Sequence, residues 1–305
     1  MAGYKLATVQ TAQGPRAAAV INDAVYDVAA LTGNASYVSV QNVLDDWDNA
    51  HRALDAASKS PKGPSTPVAQ AKLLAPLPRP AVIYCAGANY QDHAEEMWKA
   101  SGKPPEPDPH DLGLKPWFFI KVPHAVVGTG VPVSISGYSK KMDWEIELAV
   151  VIGRKARNLT IENALSCVAG YTASNDLSAR DQGFRAAVPD GSPFKADWIR
   201  HKSFEGSCPM GPWIVPAEYI SDPTNLAMKL WVNDTLKQNS NSGKMIFTAA
   251  EQIAHISTGI TLHPGDIVMT GTPAGVGAGK GEFLKAGDVV KIWIEKIGEI
   301  SNKMA

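Results

Sequence analysis

Three cysteines in 305 residues, Cys85, Cys167 and Cys208, are too few and too widely spaced for a disulfide framework or a zinc site. A reducing compartment is the natural home for such a chain. Dense basic runs are absent, and a net charge of −1 gives no electrostatic footprint for nucleic acid. No apolar run is long enough to span a bilayer. The first residues, Met-Ala-Gly-Tyr-Lys-Leu-Ala, lack the basic and long apolar regions of a signal peptide. The expectation is a cytoplasmic protein without membrane or nucleic-acid partners, built around a small-molecule site. A hydrophobic content of 45% excludes a disordered chain.

Two nucleotide signatures are also missing. Near Lys280, Ala274 stands where the first glycine of a phosphate-binding loop belongs and Gly281 where its hydroxyl belongs. No Gly-x-Gly-x-x-Gly joins a strand to a helix. Many short strands with few helices argue against a doubly wound sheet and for a mainly β chain with short helices, an α+β class.

Residues 1–70 read as a small domain of their own. Strands are expected at 5–10, 16–21 and 24–28, the last two joined by the hairpin signal Asn22-Asp23. A helix over 40–58 follows, capped by Ser39, and the Pro/Ser/Lys-rich stretch 59–67 reads as a linker. Residues 71–305 form the larger domain. Within it, Asn233-Asp234 signals another hairpin, and Thr248-Ala249-Ala250-Glu251 is a capping box.

The stretch 143–152, Asp-Trp-Glu-Ile-Glu-Leu-Ala-Val-Val-Ile, reads as one strand. Asp143, Glu145 and Glu147 then share a face, because alternate strand residues point the same way. Like charges so close repel unless something positive lies among them. A hard divalent cation such as Mg²⁺ solves that problem, and a solvated strand face is the alternative. Asp176, where an apolar strand stops, could supply a third carboxylate, or belong to an ordinary turn.

His93 and Glu96 are three apart on an expected helix capped by Asn89, so they lie side by side. A carboxylate beside an imidazole raises its basicity and fixes its orientation, which makes the pair a candidate general base for water. An exposed His-Glu pair is the plain alternative. The stretch 101–116 carries five prolines and reads as a long loop, either a lid or a passive insertion. Lys121 could point into a site, and Lys202 could offset its negative charge or stabilise an oxyanion.

Five segments in order carry a resemblance. They are Gly87-x-Asn89-Tyr90-x-x-His93-x-x-Glu96, Asp143-x-Glu145-x-Glu147-Leu148, Asn175-Asp176-x-Ser178-Ala179-Arg180-Asp181, Lys202-Ser203-Phe204 and Gly271-Thr272-Pro273-x-Gly275-Val276-Gly277. Together they resemble the fumarylacetoacetate hydrolase family over residues 80–300. The resemblance implies a mixed β-sandwich or β-roll catalytic domain, a homodimer, and Mg²⁺ or Mn²⁺ on Glu145, Glu147 and Asp176. It also implies a water-activating dyad of His93 and Glu96 on a mobile lid, with Lys202 assisting catalysis. Substrate contacts would come from Thr272, Tyr90, Lys121, Arg180 and Gln182. Many members carry an amide one position after Gln182, where this chain has Gly183.

The chemistry implied is hydrolysis of a carbon–carbon bond in an acylpyruvate-like or other β-diketone substrate. Its rivals on the same metal site are a keto–enol isomerase, a decarboxylase or a hydratase of 2-oxo acids. A non-catalytic metal-binding protein is the rival from another class.

Overall fold

The computed structural model describes residues 3–102, 104–135 and 137–305. Strands Lys5–Thr11 and Gly14–Ile21 pair antiparallel, and the latter turns into Ala24–Asp27. Asn22 and Asp23 make that turn with φ of 48° and 61°, the left-handed pair whose twist matches flanking strands. After a short helix Val28–Thr32, Ser39 caps the helix Val40–Asp45 in a reciprocal box with Asn42. The expected helix over 40–58 is instead two, Val40–Asp45 and Trp47–Ser58. It breaks at Asp46, whose carboxylate takes hydrogen bonds from the Tyr37 hydroxyl and the Asn49 amide. Such local bonds compete with helical ones.

Residues 1–70 do not end at a gap in the sheet. Lys5–Thr11 also pairs with Cys208–Pro216, at Leu6 and Ile214, and continues a twelve-stranded mixed sheet. Tyr4, Leu6, Leu44, Trp47 and Leu54 share one apolar cluster with Ala149, Ile214 and Ile267.

At the centre of that sheet lies Ile146–Ile152, flanked antiparallel by Val168–Asn175 and Ile267–Met269. All seven of its residues are buried. The fold is mainly β with short helices, as the sequence implied. A second, four-stranded sheet runs in the order Thr235–Asn241, Ala227–Val232, Val289–Ile294, Gly298–Lys303. Its Met228, Leu230, Ile292 and Ile300 pack with Ile146, Leu148 and Val150 of the central strand.

The expected continuous strand 143–152 is interrupted. Met142–Asp143 pairs with Ser178–Ala179, and the central strand starts only at Ile146. In between, the Glu145 N–H donates to Asn175 Oδ1 and the Ile146 N–H to Gln238 Oε1, so side chains replace ladder partners at the break. The helix Gln91–Ser101 starts after Tyr90, not after a capping Asn89. Asn89 instead donates to the carbonyls of Phe247 and Thr270 and accepts the Phe247 N–H.

Candidate active site

The interruption at 144–145 decides where each acidic group goes. Glu145, Glu147 and Asp176 offer oxygens within 4.8 Å of one another, all buried. The solvated-face alternative for the acidic strand is therefore excluded. Asp143 is diverted, accepting the N–H groups of Gly277 and Ala278 at 2.6 and 3.0 Å.

Three cations enclose these carboxylates. Lys202 Nζ lies 2.7 Å from both Glu145 Oε2 and Asp176 Oδ2. Lys121 Nζ lies 2.6 Å from Asp176 Oδ1 and also donates to the Leu177 carbonyl. The guanidinium of Arg180, expected to meet substrate, binds Asp143 at 2.9 Å and also Glu145. Among the described residues Glu147 has no cationic partner, and its Oε2 accepts only the Gly271 N–H, at 2.8 Å.

Charge at the site follows from these contacts. Burial pushes Glu145 upward, but Lys202 and Arg180 reverse the sign and hold its carboxyl well below the usual range. At Glu147 burial and the charges of Asp176 and Glu145 outweigh the more distant Lys202 and the Gly271 N–H, and push the carboxyl well above its ordinary value. Lys202 is held charged by Asp176 and Glu145 against burial. With Glu147 ionised, four carboxylates (Asp143, Glu145, Glu147, Asp176) would stand against three cations, leaving one negative charge uncompensated at Glu147. A buried oxygen-only donor set with uncompensated charge fits Mg²⁺ or Mn²⁺.

The His93–Glu96 pair is not a loose surface contact. His93 is buried and faces Glu96 Oε2 through Nδ1 at 3.4 Å. It lies close enough to Glu145 to lower that carboxyl's pKa. Glu96 also accepts the Gly275 N–H, and one helical turn earlier Asp92 accepts the Ala274 N–H at 3.1 Å. Two carboxylates thus staple the helix to the loop 271–277. Gly275 is required there, with φ of +104° and a Cβ position only 2.2 Å from the Lys237 carbonyl. The Trp144 indole holds the same residue's carbonyl at 3.0 Å.

The other expected substrate residues are placed as follows. Thr272 is buried and its hydroxyl accepts from Gln238 at 2.9 Å. Tyr90 is fully buried with its hydroxyl on Met228 Sδ, in the apolar core. Gln182 accepts from Arg200. A Cβ at Gly183 would stand 2.7 Å from His201 Nδ1, so the ring of His201 fills the space of a side chain there. His201 is itself buried, stacked on Trp198, and neither ring nitrogen has a hydrogen-bond partner among the described residues. Burial, with Lys202 and Arg180 nearby, pushes its pKa down to about 3. Phe119 flanks Lys202, its ring 5.1 Å from Nζ, and stacks on Trp198.

Sequence reasoning missed Asp92, Gln238 and the structural roles of Asn89 and Asn175. Asp92 carried a signal, since it stands four residues before Glu96 and so on the same helix face. Gln238 carried none, lying in a strand of largely polar neighbours.

Residues 82–305 match the C-terminal model of fumarylacetoacetate (FAA) hydrolase. The chain belongs to this family. Among its curated relatives, a mitochondrial oxaloacetate tautomerase of Xenopus laevis is 42% identical over 232 residues, covering 75% of this chain and 67% of the relative. Among family structures, maleylpyruvate hydrolase from Sphingobium sp. SYK-6, in complex with manganese(II) and pyruvate, is 30% identical. It aligns over 99% of this chain and 98% of its own, with a TM-score of 0.74. A 2-hydroxyhepta-2,4-diene-1,7-dioate isomerase from Mycobacterium marinum is 28% identical over 99% and 98%, with a TM-score of 0.72. The family thus includes both hydrolases and isomerases. Among the described residues of this member, no helix is long and apolar enough to cross a membrane.

Proposed function

We propose that this protein is a metal-dependent enzyme acting on a 2-oxo acid, and that its reaction is keto–enol tautomerisation of an oxaloacetate-like diacid. The observation that carries this reading is the buried His93–Glu96 pair, stapled beside three converging carboxylates. The tautomerase relative at 42% identity supports the choice of reaction.

Glu145, Glu147 and Asp176 would hold Mg²⁺ or Mn²⁺, which when bound supplies Lewis-acid polarisation of the 2-oxo group. Glu96, fixed by the Gly275 N–H, orients the imidazole through Nδ1 and leaves Nε2 as the base. Nε2 takes a proton from the carbon beside the 2-oxo group and returns it to oxygen. Lys202 and Thr272 stabilise the developing oxyanion, while Lys121 and Arg180 hold Asp176 and Glu145 in position. Tautomerisation needs one base atom and no second reactant, and these residues account for all of it.

Hydrolysis of an acylpyruvate-like β-diketone is a second reading, favoured by the end-to-end similarity to maleylpyruvate hydrolase. In it His93 would deprotonate a water that attacks the distal carbonyl. The carbon–carbon bond then breaks, and the departing enolate takes a proton at carbon. The edge strand Phe118–Lys121 exposes Ile120, and the helix Trp198–Lys202 that packs against it exposes Ile199, which supports the homodimer implied by the resemblance.

Chelator-stripped protein, assayed with oxaloacetate and a panel of acylpyruvates before and after adding Mg²⁺ or Mn²⁺, tests the reading. Metal-dependent loss of the enol absorbance without fragmentation supports the tautomerase. Two fragments, with oxygen from labelled water in one, move the assignment to the hydrolase. Loss of CO₂ as the main outcome rejects both.

A further inference from the structure

Gln238 lies on the outer strand Thr235–Asn241, between partly or fully exposed neighbours, yet its side chain is fully buried. Its amide is engaged at both ends. Oε1 accepts the Ile146 N–H at 3.0 Å, and Nε2 donates to Thr272 Oγ1 at 2.9 Å and to the Pro273 carbonyl at 2.7 Å. A backbone N–H can only donate and a carbonyl can only accept, so these two partners fix which end of the amide is which. A flipped amide would set nitrogen against an N–H and oxygen against a carbonyl.

For Thr272 the consequence is directional. A hydroxyl has one hydrogen and two acceptor lone pairs. Having accepted from Gln238, Thr272 keeps its hydrogen for another acceptor, and none is found for it among the described residues. The Thr272 side chain is buried, so a hydrogen without an acceptor is costly unless a ligand receives it. The other end of the amide holds Ile146, the residue between Glu145 and Glu147. One side chain from the second sheet therefore ties the acidic strand to the loop that carries the hydroxyl.

We infer that Gln238 is a positioning residue: it fixes Thr272 as a hydrogen-bond donor toward the substrate oxygen that becomes negative, and keeps that donor in register with the acidic strand. The inference rests on the proposed function for the identity of that oxygen, but the polarity argument comes from the hydrogen bonds alone. Gln238→Glu is nearly isosteric and reverses the polarity. An oxygen would then face Thr272 Oγ1, draw its hydrogen and turn it from the ligand.

The test is calorimetric titration of Mn²⁺-loaded protein with oxalate, a planar dianion that resembles the enolate of a 2-oxo acid and undergoes no turnover. Gln238→Glu and Thr272→Val are each expected to weaken oxalate binding by about 10- to 100-fold, the worth of one hydrogen bond to a charged group. The double variant should bind no worse than Thr272→Val alone, because both changes remove the same donor. Thr272→Ser should bind as the parent does. Should Gln238→Glu fail to fold, Gln238→Leu removes the amide without adding charge and should show the same non-additivity with Thr272→Val.

Full additivity of the two changes, or parental affinity in Thr272→Val, overturns the inference. If the parent binds oxalate and the variants behave as expected while no 2-oxo acid is turned over, the proposed reaction fails and the inference stands.

Discussion

Glu96 receives the backbone N–H of Gly275 on both carboxylate oxygens, at 3.0 and 3.2 Å. It thereby joins the helix bearing His93 to the loop bearing Thr272. Burial pushes the Glu96 carboxyl upward, but the contacts with His93 and the Gly275 N–H outweigh it and keep it ionised. His93→Ala should lower kcat by about 10² to 10⁴, the range for losing a general base, with Mn²⁺ affinity unchanged. Glu96→Gln keeps an acceptor for Gly275 and should lose less. Steady-state kinetics beside metal titrations check both, and a near-normal rate in His93→Ala would remove the dyad from the mechanism.

Metal binding should release a proton. In the metal-free protein the Glu147 pKa lies above its ordinary value, so the carboxyl holds a proton that the unfolded chain would have lost. Its contribution to stability is fully present below about pH 4.5, the unfolded value, and is lost as pH rises through the folded one. A cation needs the carboxylate, so affinity should rise with pH across that same window. Titrations in buffers of different ionisation enthalpy should report proton release, and a value of zero counts against this reading of Glu147.

Lys202 bridges two buried carboxylates. Lys202→Met leaves them facing each other and should destabilise the metal-free protein by about 3 kcal/mol, as expected when one partner of a buried pair is removed. Saturating Mn²⁺ should recover much of that loss by supplying the missing positive charge. Denaturant titration with and without the ion measures it. An equal loss in both conditions would mean that the metal and Lys202 do not share these ligands.

The long loop is docked through His110, which contacts Glu251 at 3.0 Å and Asp108 at 3.1 Å and lies against the Phe247 ring. The contact with Glu251 raises the His110 pKa, opposed by burial and helped by Asp108. Docking should therefore be firm below about pH 6.5 and weaken as pH rises through the folded value. Amide exchange over residues 104–116 should quicken as pH rises above about 6.5, beyond its intrinsic pH dependence, and His110→Phe should abolish that excess. A parent protein without the excess would exclude the latch.

Expression of residues 71–305 alone tests the expected boundary. The strand Cys208–Pro216 would lose its neighbour Lys5–Thr11, and Ile214, Ala149 and Ile267 would lose their cover of Leu6, Leu44 and Trp47. The fragment should aggregate or melt well below the full chain. A fragment as stable as the whole would establish an independent domain.

Much of the local structure was legible because it obeys local rules. Asn22-Asp23 and Asn233-Asp234 tolerate the left-handed backbone that two-residue turns require, and both adopt it. The Ser39 and Thr248 caps satisfy the first helical N–H groups within four residues of chain. The carboxylates of 145, 147 and 176 could be nominated as a group because a strand's period is short and a family pattern aligned them.

Local sequence thus specified an inventory: short strands, their turns and caps, and the acidic, basic and imidazole groups available for chemistry. The partner of each group came from the folded chain. It sent Asp143 to the Gly277 amide while Glu145 turned to Lys202, and it gave Arg180 to the carboxylates. It also brought Gln238, 92 residues away in sequence, to the Ile146 N–H. The physical reason is that a buried polar group must find its counterpart wherever folding delivers one, and that choice depends on sheet register and loop closure, which no short window of sequence contains.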